Sequence, residues 1–267
     1  MIFEEFKPTY DKANSGYFKP LQTGLPKMEE YINGIQKRRM DVLFGDTGSG
    51  KTSMALYNFV LKPLIENPNS LQVVYFTFGF SKDVITAKLM SALIYAKANK
   101  VVEVSTILNM KKERGKITDN LILTSGAYLD KLPITIIETM MTPSQCKSVI
   151  DTHATKHGKF VDVNGTRKYK EIDDTKMTLV VFDTANNLLR EGFSQKETID
   201  LHTRYCLETY KNLYNYNVLN IVYATNRITD TTKFKAEDLA PKKQDLTGYE
   251  SLLESSDLIM SLYVIIC

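Results

Sequence analysis

The chain has 267 residues, of which 43% are hydrophobic and 24% charged, with a formal net charge of +3. That length supports one large domain with a substantial core, and the near balance of charge excludes a global basic field, so any nucleic-acid partner must be read from local patches. The three cysteines, Cys146, Cys206 and Cys267, are far apart and lack metal-ligand spacing. They fit reduced thiols in a cytoplasmic setting and argue against a disulfide framework. The opening MIFEEFKPTYDK is acidic and unlike a secretory signal. No run of about 18 apolar residues predicts a membrane span.

In chain order, residues 1–21 read as a polar extension and 22–267 as the folded domain, with TGLPKMEEYINGI predicting a short amphipathic helix around 26–34. MDVLF (40–44) predicts a buried strand and 51–66 a helix ended by ENPNS. LQVVYFTF (71–78) is strand-like by its β-branched and aromatic content. SKDVITAKLMSALIYAKA (81–98) offers a Ser N-cap followed by apolar residues at helical spacing. Residues 99–131 are mixed and predict short helices. LPITIIE (132–138) is a third strand, followed by a capped helix from Thr142 or Ser144 to about His157. KFVDVNGTRKYKEI (159–172) reads as a β-hairpin turning at Asn164–Gly165 and projecting from the core, with a basic tip at Arg167, Lys168 and Lys170. MTLVVFD (177–183) is a fourth buried strand, 195–215 a long helix, VLNIVYA (218–224) a fifth strand and DLIMSLYVII (257–266) a sixth. Strands alternating with helices predict an α/β fold, a mainly parallel twisted sheet covered on both faces.

One stretch carries chemistry. LFGDTGSGKTSMAL (43–56) places G-x-x-x-x-G-K-T between a predicted strand and a predicted helix. Glycines at 45, 48 and 50 let backbone N–H groups converge on phosphate oxygens. The helix start adds partial positive charge, Lys51 supplies a point charge, and the Thr52 hydroxyl suits Mg²⁺. The nucleotide-contacting stretch is thus Gly45, Asp46, Thr47, Gly48, Ser49, Gly50, Lys51, Thr52 and Ser53, and the expected ligand is a nucleoside triphosphate. Asp183, closing TLVVFD at the carboxyl end of a buried strand, is the candidate acidic partner of the magnesium.

The blocks TGLPKMEEYINGI…DVLFGDTGSGKTSMAL, VVYFTFGFSKDVITAKLMSAL, KLPITIIETMMTPSQCKSVI, TLVVFDTANNL, IVYATNR and DLTGYESLLESSDLIMSLYV follow the order seen in RecA-type ATPase cores. The sequence most resembles the replicative hexameric helicases of the DnaB type, from about residue 22 to its end. The phosphate loop is shared by many ATPases; the FTFGFS and DLTGYESLLESSDLIMSLY blocks narrow the choice. The resemblance implies a RecA-like P-loop NTPase in which Lys51 and Thr52 serve phosphate and magnesium and Asp183 is the acidic residue. Thr225 or Asn226 stands nearest the family's γ-phosphate-sensing glutamine. The loop 228–244, with Lys233, Lys235, Lys242 and Lys243 and with Arg227 beside it, occupies the place of a DNA-binding loop. REGFSQK (190–196) occupies that of a second. The implied partners are single-stranded DNA, further copies of the chain in a homo-oligomer of the hexameric-ring kind, and replication proteins. A cytoplasmic setting follows, in a bacterium or a phage-infected cell.

The sequence departs from that pattern at Gly79, which stands where the family carries a water-activating glutamate. A general base contributes roughly 10²–10⁴-fold in rate, so its loss predicts slow hydrolysis unless another carboxylate substitutes; Glu138, closing ITIIE, is the candidate. The sequence to Cys267 offers no counterpart of the Lys and Arg that reach the neighbouring subunit's ATP in the family, nor of its N-terminal domain. Two readings follow: a DNA-dependent ATPase motor, or a nucleotide-binding partner of replication or recombination machinery with weakened catalysis. A metabolic kinase using the same loop lacks an acceptor-binding base and a lid.

Overall fold

The computed structural model describes residues 2–15, 19–108, 115–163, 165–224, 242 and 245–263. The elements run α1 (Ile2–Asn14), α2 (Pro26–Ile32), β1 (Arg39–Gly45), α3 (Lys51–Met54), a π-helical stretch Ala55–Leu61, α4 (Lys62–Glu66) and β2 (Leu71–Thr77). There follow α5 (Lys82–Ala98), α6 (Val104–Ile107), α7 (Lys116–Leu129), β3 (Ile134–Ile137), α8 (Pro143–His157), β4 (Gly158–Val163) and β5 (Thr166–Glu171). The last are β6 (Met177–Asp183), a 3₁₀ turn Ala185–Asn187, α9 (Gln195–Arg204), a second π-helical stretch Tyr205–Leu213, β7 (Asn217–Tyr223), α10 (Glu250–Glu254) and β8 (Leu258–Leu262).

Six strands form one sheet in the order β3-β2-β6-β7-β1-β8, and every pairing in it is parallel. Strands buried on both faces need apolar residues at odd and even positions alike. RMDVLFG and MTLVVFD are buried at all seven positions. Successive side chains alternate between two cores. Met40, Val42, Phe44, Phe76, Val180 and Phe182 face α8, α9 and the second π-helical stretch, whereas Leu43, Val73, Tyr75, Leu179, Val181 and Leu219 face the helix that follows β1 and α5. The expected α/β architecture is therefore the observed one.

Three differences from the sequence reading have physical causes. The polar extension contains α1, whose Ile2, Phe3, Phe6 and Tyr10 recur at helical spacing but remain exposed. Residues 116–129 form one 14-residue helix rather than short pieces, because it packs along α5. The hairpin β4–β5 does not simply project. Its register places Phe160 opposite Tyr169, and that pair turns inward, with Tyr169 in edge contact with Tyr214 at 4.9 Å and its hydroxyl donating to Ala154 O at 2.9 Å. Lys37 Nζ, nearly buried, donates to Glu171 Oε2 at 2.9 Å and fastens the second strand. Lys168 and Lys170 stay exposed on the outer face.

The core also contains a titratable group. His202 on α9 is fully buried; its Nε2–H donates to Asn220 Oδ1 at 2.8 Å, and Cys206 Sγ lies 3.4 Å from the same nitrogen. Burial pushes its pKa down from 6.5 to about 4, the Asn220 hydrogen bond acting in the opposite sense. Between those values the unfolded chain binds a proton that the folded chain refuses, so stability falls as pH drops through that window. Asp41, raised to about 6 by burial against the pull of Arg39, acts in the opposite direction over its own range. His153, pushed down to about 4 chiefly by burial, acts in the same sense as His202, so a wild-type curve mixes these groups and the variant comparison isolates His202. We expect chemical-denaturation curves from pH 6.5 to 4 to lose on the order of 3 kcal/mol from His202 alone, and His202→Gln to show a correspondingly flatter pH profile. Parallel profiles for the two proteins would assign the acid sensitivity elsewhere.

Candidate nucleotide-binding site

In a parallel sheet all carboxyl ends reach one edge, and there the helices and loops leave a crevice. Gly45 ends β1, Asp183 ends β6, Thr77 ends β2 and Tyr223 ends β7. The register pairs Gly45 with Tyr223 and Thr77 with Asp183, so all four sit at that edge.

The loop 46–50 turns sharply between β1 and α3. Gly48 and Gly50 take φ of 83° and 91°, which favours glycine, and Gly50 is the N-cap of α3. Around Gly48 there is open space. Gly45 is needed for another reason: a Cβ there would collide with the carbonyl oxygen of Leu262 on β8 and crowd Ser49 Oγ at 3.0 Å. The edge strand backs the first residue of the loop.

Lys51 is nearly buried. Its Nζ donates to Gly45 O at 2.9 Å, to Asp46 O at 2.6 Å and more distantly to Ser49 Oγ at 3.4 Å, and lies 4.9 Å from the centre of the Tyr223 ring. Burial lowers its pKa, opposed by Asp46 and Asp183. The ammonium thus closes the loop on itself, satisfying carbonyls that a bound anion would draw it away from. Thr52 Oγ1 donates to Asp183 Oδ1 at 3.2 Å, and Tyr75 Oη donates to Asp183 Oδ2 at 2.7 Å. Asp183 is 1% exposed. Burial raises its pKa, while the hydrogen bonds from Tyr75 and Thr52 and the charges of Lys51 and Lys88 hold it down.

Sequence reasoning named Lys51, Thr52 and Asp183, and the structure brings the three together. Thr47, Gly48, Gly50 and Ser53 are exposed at the loop mouth or on α3, and Asp46 is half-buried. Glu138 lies beyond β3, at the sheet edge, where its Oε2 accepts the backbone N–H of Lys82 in the first turn of α5. Lys242 is exposed, with its backbone N–H donating to Asp245 Oδ2 at 2.7 Å. Thr225, Asn226, Arg227, Lys233, Lys235 and Lys243 lie outside the described residues. In REGFSQK, Ser194 caps α9 through a capping box with Glu197, and Glu191 accepts from Ser144.

Four site residues escaped the sequence reading. Tyr75 is one. Tyr223 is another, and its hydroxyl sits 3.8 Å from where a Cβ at Gly79 would lie; Asn187 Nδ2 is 3.9 Å from the same point. Asn187 Nδ2 donates to Phe78 O at 3.2 Å and Asn186 Oδ1 accepts the Tyr223 N–H at 2.8 Å, so the turn after β6 ties the ends of β2 and β7. The adjacent asparagines in DTANN were the available signal, since paired amides directly after a strand-end acid suit crosslinking of neighbouring strand ends.

No protein-family model matches the sequence, and no curated protein matches it. Solved structures do share its fold. One described as an ATPase domain aligns with a TM-score of 0.72 and 15% identity over 97% of this chain and 82% of its own length. Another, a DnaB-like replicative helicase studied with its interactions with primase, gives 0.70 and 14% over 96% of this chain. The present chain spans 55% of that helicase's length. The chain thus shares its fold with an ATPase domain and with a DnaB-like replicative helicase, as the sequence resemblance implied.

The backing of the loop by β8 gives a direct test. Gly45→Ala should force β8 or the loop to move, lowering stability by about 1–3 kcal/mol, read as a fall in the denaturation midpoint. An unchanged midpoint would contradict the close approach.

Proposed function

We propose that this chain is an ATP-binding, magnesium-dependent ATPase that works on single-stranded DNA as an oligomer, in the manner of a replicative helicase motor. The observation that carries the nucleotide assignment is the meeting of Thr52 and Asp183 across the crevice beside a glycine-cornered loop. The donor set fits a hard divalent ion. A hydroxyl and a carboxylate oxygen 3.2 Å apart offer the one or two protein oxygens that Mg²⁺ takes before completing its shell with water and phosphate. The residues that would hold it are Thr52 and Asp183; bound there, the ion would neutralise phosphate charge.

The chain's own part begins with the loop. Its N–H groups and the start of α3 would receive the phosphates, and Lys51 would exchange the Gly45 and Asp46 carbonyls for phosphate oxygens. DNA and oligomer contacts are supported by the fold likeness and by the lysine-bearing sequence 228–244, of which Lys242 is described and exposed. Replication proteins are the partner class that this reading favours.

A second reading has its own observation. Gly79 supplies no carboxylate, and the space beside it is bordered by the Tyr223 hydroxyl and the Asn187 amide. On that reading the chain binds ATP and turns it over slowly or not at all. A Cβ at 79 meets only ordinary van der Waals neighbours, so a side chain can begin there without displacing them.

The deciding measurement is ATP turnover with and without single-stranded DNA. The motor reading expects stimulation by DNA and DNA binding that weakens with salt, with a log–log slope of roughly 0.7 per phosphate contacted. Lys51→Ala should remove nucleotide binding or turnover, and retention of both would refute the site. Gly79→Glu should raise turnover by about 10²-fold or more if a missing base limits the wild type; no gain would mean that the base is not what limits it.

A further inference from the structure

Tyr75 does more in this fold than fill the core. It lies on β2 opposite Val181 of β6, while Thr77 is opposite Asp183. Residues 75 and 183 are therefore diagonal neighbours on one face of the sheet, one pleat apart, a separation an aromatic side chain can bridge. The Tyr75 side chain is fully buried and rises along that face until its hydroxyl donates to Asp183 Oδ2 at 2.7 Å. The other carboxylate oxygen receives Thr52 Oγ1 at 3.2 Å. An aspartate carboxyl rotates in a broad, shallow torsional well, so a donor fixed by the core on one oxygen decides where the other points. Among the described residues no further donor reaches the Asp183 carboxyl.

We propose that Tyr75 is a positioning residue for the divalent ion, its phenol locking the plane of the Asp183 carboxylate so that Oδ1 faces Thr52 and the metal. This rests on the nucleotide-site reading above and deepens it. Tyr75 touches neither nucleotide nor metal. It acts through Asp183, as hydrogen-bonding partners behind metal ligands do, and loss of such a partner typically costs 10–100-fold in metal affinity.

The test separates metal binding from nucleotide binding and from folding. A fluorescent non-hydrolysable ATP analogue is titrated onto wild type, Tyr75→Phe and Asp183→Asn, once in EDTA and once with increasing MgCl₂. Tyr75→Phe keeps the ring that fills the core and removes only the donor. It should leave the EDTA affinity within about twofold and raise the half-saturating Mg²⁺ concentration by about 10–100-fold. Added to Asp183→Asn, it should change nothing further, because the group it positions is gone. Tyr75→Leu, compared at matched thermal midpoint, gives the same readout if the phenylalanine variant proves unstable. An unchanged Mg²⁺ dependence in Tyr75→Phe, or an equal loss of affinity in EDTA, overturns the proposal while Asp183→Asn still abolishes the Mg²⁺ effect. If Asp183→Asn itself leaves the Mg²⁺ dependence intact, the site reading fails and this inference falls with it.

Discussion

A carboxyl group taken out of water must find donors for its oxygens, since an unmatched buried polar group costs more than most single contacts return. Asp183 meets that demand from two sides. Tyr75 reaches it from within the sheet and Thr52 from the helix after the phosphate loop. Satisfying one side chain thereby fixes the relative position of β2, β6 and the start of α3, three elements distant in sequence and joined at one edge of the sheet. The loop geometry around Lys51 and the crossing of the helix over the sheet both presuppose that meeting point.

The remainder of the molecule holds this edge steady. Parallel strands covered on both faces leave little freedom for sliding, because a one-residue slip would exchange the two cores. The turn Ala185–Asn187 pins the ends of β2 and β7 through Asn187 and Asn186. At the opposite end of the sheet, Arg39 pairs with Asp41 at 2.6 Å and donates to Ile32 O and Gly34 O, anchoring the entry to β1. The hairpin is fastened to the body by Tyr169 and by the Lys37–Glu171 pair.

The parts legible in the amino-acid sequence are those whose signal is local. Gly45 to Thr52 announce a glycine-cornered turn from strand to helix by spacing alone, and Asp183 stands out as an acid closing an apolar run. Thr142 and Ser81 mark helix starts by the chemistry of capping. What stays hidden depends on register or on distant packing. A tyrosine inside VVYFT reads as ordinary strand composition; that its hydroxyl meets Asp183 follows only once β2 lies beside β6 with 75 opposite 181. Tyr223 and Gly79 are 144 positions apart (223 − 79), and nothing in either neighbourhood says that they adjoin. The π-helical stretches Ala55–Leu61 and Tyr205–Leu213 interrupt runs whose spacing looks α-helical throughout, and their wider i→i+5 turn leaves no local mark in the sequence. α1 is hard to see because its apolar stripe is mixed with Lys, Glu and a proline.

β8 and the phosphate loop share a boundary at Leu262 and Gly45, and Met40 is held to Asp257 across 217 residues of sequence. Two features in such contact cannot vary independently. Any part of a ligand's binding free energy that depends on β8 being seated stabilises that seating by the same amount. A neighbouring molecule that gripped the strand would in turn be felt at the loop. The margin of the sheet is in that sense a handle on its centre.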